Sequence, residues 1–161
     1  MSLYSIDSNL NTQKEGTMKF RTVIIKKDLH MLLKWRNDPL TRKQSHRTKK
    51  FVSKDYRNEL KSILEDPNKL LFIVEENNKS VGIIRADKED SCYELSWTVA
   101  PNERGKGIGT RMLMQAVKKI KGNLRAEIKE GNGQSITIAE KAGFICNKKE
   151  GNILYYTLTQ Q

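Results

Sequence analysis

The stretch Asn102–Arg111, NERGKGIGTR, places glycines at 105, 107 and 109 among three cations, Arg104, Lys106 and Arg111. Glycine lets the backbone approach a ligand with no Cβ in the way, and it reaches backbone angles that other residues avoid. The apolar spacing that follows, Met112, Leu113, Ala116, Val117 and Ile120, predicts a helix starting near Thr110 and stopping at Gly122. A helix start presents N–H groups without partners and the positive end of a dipole. A strand, a glycine-rich turn and a helix start in that order make an anion site, suited to a phosphate or pyrophosphate. The glycines alternate, so neither the dinucleotide fingerprint G-x-G-x-x-G nor the P-loop G-x-x-x-x-G-K-[ST] is present.

Charge is the second chemical signal. The chain of 161 residues has 30 Lys and Arg against 19 Asp and Glu, a formal +11. Lys26–Lys61 alone carries 12 Lys or Arg against 4 Asp or Glu, a net +8. Such an excess draws anionic partners and repels polycations. A nucleic-acid surface would interleave aromatics with the basic residues. Here only Trp35, Phe51 and Tyr56 occur in the run, and Trp35 and Tyr56 fit helix core stripes. That favours a small anionic ligand over nucleic acid. His30 and His46 lack metal-ligand spacing and read as surface residues, so no metal is expected. Cys92 and Cys146 read as free core thiols of a reducing, cytoplasmic compartment. No apolar run approaches the roughly 20 residues of a membrane helix.

The elements that must position these groups follow from periodicity. Residues 18–25 read as a strand, and Leu29, Leu32, Leu33 and Trp35 as a helix stripe that Pro39 stops. A basic connection leads to a second helix with Ser53 as N-cap and Tyr56, Leu60, Ile63 and Leu64 on one face. Three strands, LLFIVEE, SVGIIRADK and SCYELSWTVAP, form an antiparallel meander, with Glu94, Ser96 and Thr98 on the polar alternation of the last. After the glycine turn and its helix come the strand NLRAEIKE, a short helix SITIAEKAG and a closing hairpin around EGN. The expected fold is mixed α/β, a central twisted mixed sheet flanked by about four helices, in the order β-α-α-β-β-β-α-β-α-β-β. Residues 18–161 are expected to form one domain, monomeric or homodimeric, behind a polar tail, 1–17.

VAPNERGKGIGTRMLMQAV resembles the R/Q-x-x-G-x-G/A signature of the GNAT acetyltransferase superfamily through Arg104, Gly107 and Gly109. The segment EIKEGNGQSITIAEKAGF is similar to the family's N-x-x-S…G-F pattern through Asn132, Ser135, Gly143 and Phe144. The resemblance runs from about Met18 to Thr159. It implies a GNAT-like fold and acetyl-CoA as cosubstrate. The pyrophosphate would be gripped by Arg104, Gly105, Lys106, Gly107, Ile108, Gly109 and Thr110, the pantetheine by Asn132, and the thioester carbonyl by the Val99 N–H. The implied reaction is attack of an amine on a thioester, for which Glu94 is the candidate base. Ala139 stands where many members carry a proton-donating Tyr.

WRNDPLTRKQS resembles the opening of bacterial sugar-amine acetyltransferases of pseudaminic- and legionaminic-acid pathways, through Trp35, Arg36, Asn37, Asp38, Pro39, Arg42 and Ser45. VGIIRAD with Arg85 is also similar. This implies an acceptor amine on an anionic, UDP-linked sugar, with Arg36, Asn37, Arg42 and Arg85 near it. Related subfamilies that acetylate ribosomal-protein N-termini begin similarly, so a protein N-terminus or another small amine stays open. A basic nucleic-acid-binding module is the reading from another class.

Overall fold

The structure is a computed structural model that describes residues 18–160; the segment 1–17, expected as a polar tail, lies outside the described residues. The chain runs β1 (Met18–Thr22), α1 (Ile25–Arg36), α2 (Pro39–Gln44), α3 (Ser53–Glu65), β2 (Lys69–Glu76), β3 (Lys79–Glu89) and β4 (Cys92–Val99). After a 3₁₀ turn, Pro101–Glu103, come α4 (Ile108–Lys119), β5 (Asn123–Lys129), α5 (Gly133–Lys141), β6 (Ile145–Glu150) and β7 (Ile153–Leu158). The seven strands form one sheet in the order β1-β2-β3-β4-β5-β7-β6. Every pairing is antiparallel except β4 with β5, which α4 connects. The mixed α/β class and the element order follow the sequence expectation, with one helix more.

Strand alternation splits the apolar residues between two faces. On β2, Ile73 joins a core with Leu29, Leu32, Trp35 and Leu60 of α1 and α3. Its neighbour Val74 points the other way, into a core with Met112, Leu113 and Ala116 of α4 and Ile138 of α5. The sheet is therefore covered on both faces, and its functional groups must use its interruptions.

Three local expectations are corrected. Pro39 does not merely stop a helix: α1 ends at Arg36, and Pro39 is the first residue of α2, where its missing N–H is no loss. The Asp38 side chain caps α2 by accepting from the Thr41 N–H at 3.1 Å. Ser53 is not the N-cap of α3. Val52 occupies that place without a side-chain bond. The entry is set instead by buried Phe51, whose N–H and C=O are both held by the Asn37 amide, at 2.8 and 2.9 Å. Neither cysteine is a core thiol: Cys92 is half-buried at the first position of β4, and Cys146 is exposed because β6 is the outermost strand and is exposed along its length.

One buried carboxylate was not foreseen. Asp28, only 2% exposed, accepts two bonds from Arg21 at 2.8 and 2.9 Å and one from the Ile24 N–H at 2.8 Å. Arg21 also reaches Glu75 at 2.6 Å, so one guanidinium fastens α1 to β1 and β2. The Arg21 hydrogen bonds hold Asp28 below the usual carboxylate range against the opposing effect of burial. Asp28→Ala removes two of the Arg21 hydrogen bonds and the acceptor of the Ile24 N–H, while Glu75 keeps the guanidinium paired; losing hydrogen bonds to a charged group costs about 1.5–3 kcal/mol. Urea unfolding is expected to show a loss of that size at pH 7. A carboxylate with a depressed folded pKa stabilises above its unfolded value, near 3.9, and loses that contribution as pH falls through the folded value. The difference between wild type and Asp28→Ala is therefore expected to shrink below about pH 4.

Candidate active site

The parallel ladder between β4 and β5 is short. It runs Cys92↔Asn123, Tyr93↔Leu124 and Glu94↔Arg125, and then the strands part. β4 continues to Val99 on β3, and β5 to Lys129 on β7. The Ala100 N–H donates to the Val81 carbonyl at 2.8 Å, and Val99 is the register partner of Gly82. N–H groups alternate in direction along an antiparallel strand. The Val99 N–H therefore points away from β3, into the gap that β5 has left. A cleft of about 710 Å³ occupies this gap, lined by Glu94 through Val99 of β4, Glu127 and Ile128 of β5, and Asn132 and Ser135 at the start of α5.

The glycine turn stands at the end of β4. Gly105 and Gly107 have φ of +77° and +74°, values that favour glycine. Gly107 caps α4 with no side-chain bond, so α4 starts at Ile108, two residues before the expected Thr110, and its first N–H groups have no cap. Gly109 is needed for packing. A Cβ there would lie 2.5 Å from Ile138 Cδ1 and 3.2 Å from Val99 Cγ2. The cations of the turn are each held by a partner within the chain. Arg104 binds Asp38 at 2.5 Å and Thr41 at 3.0 Å. Lys106 binds the buried carboxylate of Glu103 at 2.9 Å, which Lys79 also holds. Arg111 pairs with Glu76 at 2.8 Å. Each cation has an intramolecular partner because each serves as a staple. What the turn offers an anion is backbone N–H groups held in a fixed shape.

The carboxylates of the cleft gather on the face covered by α1 to α3. Glu94 is half-buried, with Arg125 Nη2 at 3.9 Å from its Oε2. Burial first, then the nearby Glu127 carboxylate, pushes Glu94 above its ordinary value, while Arg125 opposes. Arg125 is itself tied to Glu89. His46, from the α2–α3 connection, places Nε2 3.0 Å from Glu127 Oε2.

The arginines form a second group. Arg85 is bidentate to Asp87 at 2.8 Å on each arm. Arg36 and Arg47 both line the cleft and flank the Phe51 ring, with their guanidinium carbons 5.0 and 3.7 Å from its centroid. Neither forms an ion pair with a carboxylate among the described residues. Arg36 donates instead to the Arg47 carbonyl at 2.9 Å, and burial holds it below its ordinary value.

The sequence candidates thus divide. Glu94, Val99, Arg104, Asn132, Arg36 and Arg85 line the cleft. Gly105, Lys106, Gly107, Ile108, Gly109 and Thr110 form the turn beside it. Asn37 and Arg42 do not line it; Asn37 clamps Phe51, and Arg42 donates to the Thr48 carbonyl at 3.1 Å. Asn132 caps α5 by accepting from the Ser135 N–H at 3.2 Å. Ala139 is fully buried, so α5 offers no hydroxyl at that position. Glu127, His46 and Arg47 were missed. The polar alternation Arg125, Glu127, Lys129 was visible in the sequence, but the register that sets it beside Glu94 was not.

Residues 29–144 match the family model described as the acetyltransferase (GNAT) family. A search of curated protein sequences finds no match. Among solved structures, a domain from Methanocaldococcus jannaschii is 24% identical with a TM-score of 0.78, over 91% of this chain and 100% of that one. The Campylobacter jejuni N-acetyltransferase PseH in complex with acetyl coenzyme A is 18% identical with a TM-score of 0.71, over 90% and 100%. The spermidine N-acetyltransferase from Vibrio cholerae in complex with CoA and spermine is 16% identical with a TM-score of 0.75, over 89% and 95%.

Gly109→Val drives a branched side chain into Ile138 and Val99. Overpacking of this kind costs about 1–3 kcal/mol. A fall in melting temperature is expected, accompanied by a reduced thermal shift on adding ligand; an unchanged melt would mean that α4 and α5 are not packed as described.

Proposed function

We propose that this chain, which belongs to the acetyltransferase (GNAT) family, transfers the acetyl group of acetyl-CoA to a small amine carrying negative charge, with the amino group of a UDP-linked sugar as the favoured case. The residues present fit the cosubstrate. An uncapped helix start with two positive-φ glycines suits a pyrophosphate, and the open edge of β4 suits an extended amide-bearing arm. Bound acetyl-CoA supplies the activated acyl carbon and a thiolate leaving group.

The chain's own groups divide the remaining work. The Val99 N–H, which points away from β3, is the group that would donate to the thioester carbonyl, where negative charge develops. Glu94 takes the proton of the acceptor nitrogen. Its raised pKa brings it nearer to neutrality, which gives a base more driving force to accept a proton. Because Glu94 must be ionised, kcat/KM is expected to rise with pH through that raised value.

The anionic part of the reading rests on one observation: Arg36 and Arg47 line the cleft with no carboxylate partner among the described residues. At an effective dielectric near 20, unit charges about 5 Å apart attract by roughly 3 kcal/mol before screening. A third of that is a several-fold gain in affinity. PseH, among the structural neighbours, is an N-acetyltransferase solved with acetyl coenzyme A. The carboxylates Glu94 and Glu127 favour a second reading, a polycationic amine, as the spermine-bound neighbour illustrates.

A panel decides between them: a UDP-4-amino sugar, spermidine, a free amino sugar and N-terminal peptides, assayed by thiol release at low and high salt. The UDP-sugar is expected to turn over fastest and to weaken as salt rises. Arg47→Glu is expected to raise its KM several-fold with KM for acetyl-CoA unchanged. Spermidine or a peptide as best substrate sinks the anionic-acceptor reading. Glu94→Gln is expected to lower kcat about 10²-fold with acetyl-CoA affinity unaltered by calorimetry; a wild-type kcat between pH 6 and 9 would leave Glu94 a structural residue.

A further inference from the structure

Making an amide from an ammonium and a thioester releases one proton net. The nitrogen loses two as the N–C bond forms and the C–S bond breaks. The sulfur leaves with the electron pair and takes one proton, and the other must reach water. Glu94 is half-buried in the cleft and cannot carry that proton into the next turnover. Resting on the acetyltransferase reading, we propose that Glu127 and His46 form the exit route, conducting the proton from Glu94 to bulk solvent.

Three elements converge to build this route. Glu127 lies two residues beyond Arg125, the register partner of Glu94, so strand alternation sets Glu127 on the same face of the sheet. Glu94 and Glu127 line the same cleft, and the Glu127 carboxylate is near enough to help push Glu94 above its ordinary value. The α2–α3 connection then brings His46 Nε2 to 3.0 Å from Glu127 Oε2, with a His46 side chain 61% exposed. The chain of groups therefore begins at a cleft carboxylate and ends at a ring in contact with water. Imidazole suits that last place, because one ring nitrogen can take up a proton while the other gives one up.

Each step balances. Glu94 accepts the nitrogen's proton and passes it to Glu127. The protonated Glu127 donates to the Nε2 lone pair of neutral His46, and the imidazolium loses its Nδ1 proton to water. Exchange with solvent restores the tautomer that accepts at Nε2. No oxidant or metal is involved. The groups facing Glu94 are Asp87, its register partner on β3, with Arg85 and Glu89 of the same strand and Arg125 of β5. Lys148 and Tyr155 face Glu127 from β6 and β7. Arg85 and Arg125 stay protonated and accept no proton, and the carboxylates Asp87 and Glu89 are each bound to one of them.

The test uses His46→Ala and Glu127→Gln in the full chain, with thiol release, free imidazole in the buffer, and acetyl-CoA calorimetry on each variant. His46→Ala is expected to lower kcat about 10–100-fold, the lower range of general acid–base effects, with KM for acetyl-CoA unchanged. Added imidazole is expected to restore the rate in proportion to its concentration. Glu127→Gln is expected to lower kcat similarly and to resist imidazole. Its acid limb of kcat/KM is expected to move to lower pH, because Glu94 has lost a like charge. A wild-type rate in His46→Ala, or a loss that imidazole leaves unrepaired, overturns the route. Should His46→Ala melt below the assay temperature, His46→Gln replaces it. An infrared pH titration of the free protein separates this from the activity itself. Wild type is expected to show a carboxyl titrating above the ordinary range, and Glu127→Gln to move that titration to lower pH while burial still keeps it raised. Its absence from wild type overturns the route even if acetyl transfer is intact. Its presence, with no amine acetylated, overturns only the activity on which the route rests.

Discussion

The site depends on one interruption: β4 and β5 stay paired for three residues and then separate. A sheet covered on both faces has its backbone groups paired and its side chains buried, so it has no place for a ligand. Parting two strands leaves a row of unpaired N–H and C=O groups at the sheet's centre. It also opens a cleft between two faces already held apart by separate cores. The Val99 N–H, the carboxylates of Glu94 and Glu127 and the cap of α5 all reach that cleft because the strands part beside Glu94.

Ion pairs then fix the cleft's rim. Arg104 ties the glycine turn to Asp38, the cap of α2, across 66 residues of sequence. Arg111 and Lys79 tie the same region to the β2–β3 hairpin through Glu76 and Glu103. A turn held from two sides presents its N–H groups with little reorganisation when an anion arrives, the condition under which backbone dipoles act most strongly. The same arrangement uses up the charge that seemed available for a ligand. The basic surplus of Lys26–Lys61 is mostly elsewhere: of its 12 cations only Arg36 and Arg47 line the cleft.

What was legible in the sequence was local. Alternating glycines before an apolar helix stripe marked the turn, and the alternation of Glu94, Ser96 and Thr98 marked a polar strand face. Both signals lie within a few residues, where periodicity and backbone freedom decide the outcome. The unread parts depend on distant partners. Nothing near Arg104 announces Asp38, nor does NLRAEIKE reveal that Glu127 will stand beside Glu94. Pro39 was ambiguous for a physical reason, since the ring that ends one helix is equally suited to begin the next. Asn37 and Arg42 sit in a motif with a family resemblance, yet their side chains hold the backbone of Phe51 and Thr48. Among the described residues no helix is long and apolar enough to cross a membrane and no group of ligating side chains is set for a metal.

Backbone amide shifts during a titration with acetyl-CoA test the role of the strand gap most directly. If the gap and the turn hold the cosubstrate, the amides of Val99, Gly105, Gly107, Ile108 and Gly109 shift together with saturation at one affinity, while those of the β6–β7 hairpin stay fixed. Saturable shifts that leave Val99 and the glycine turn unmoved would contradict it.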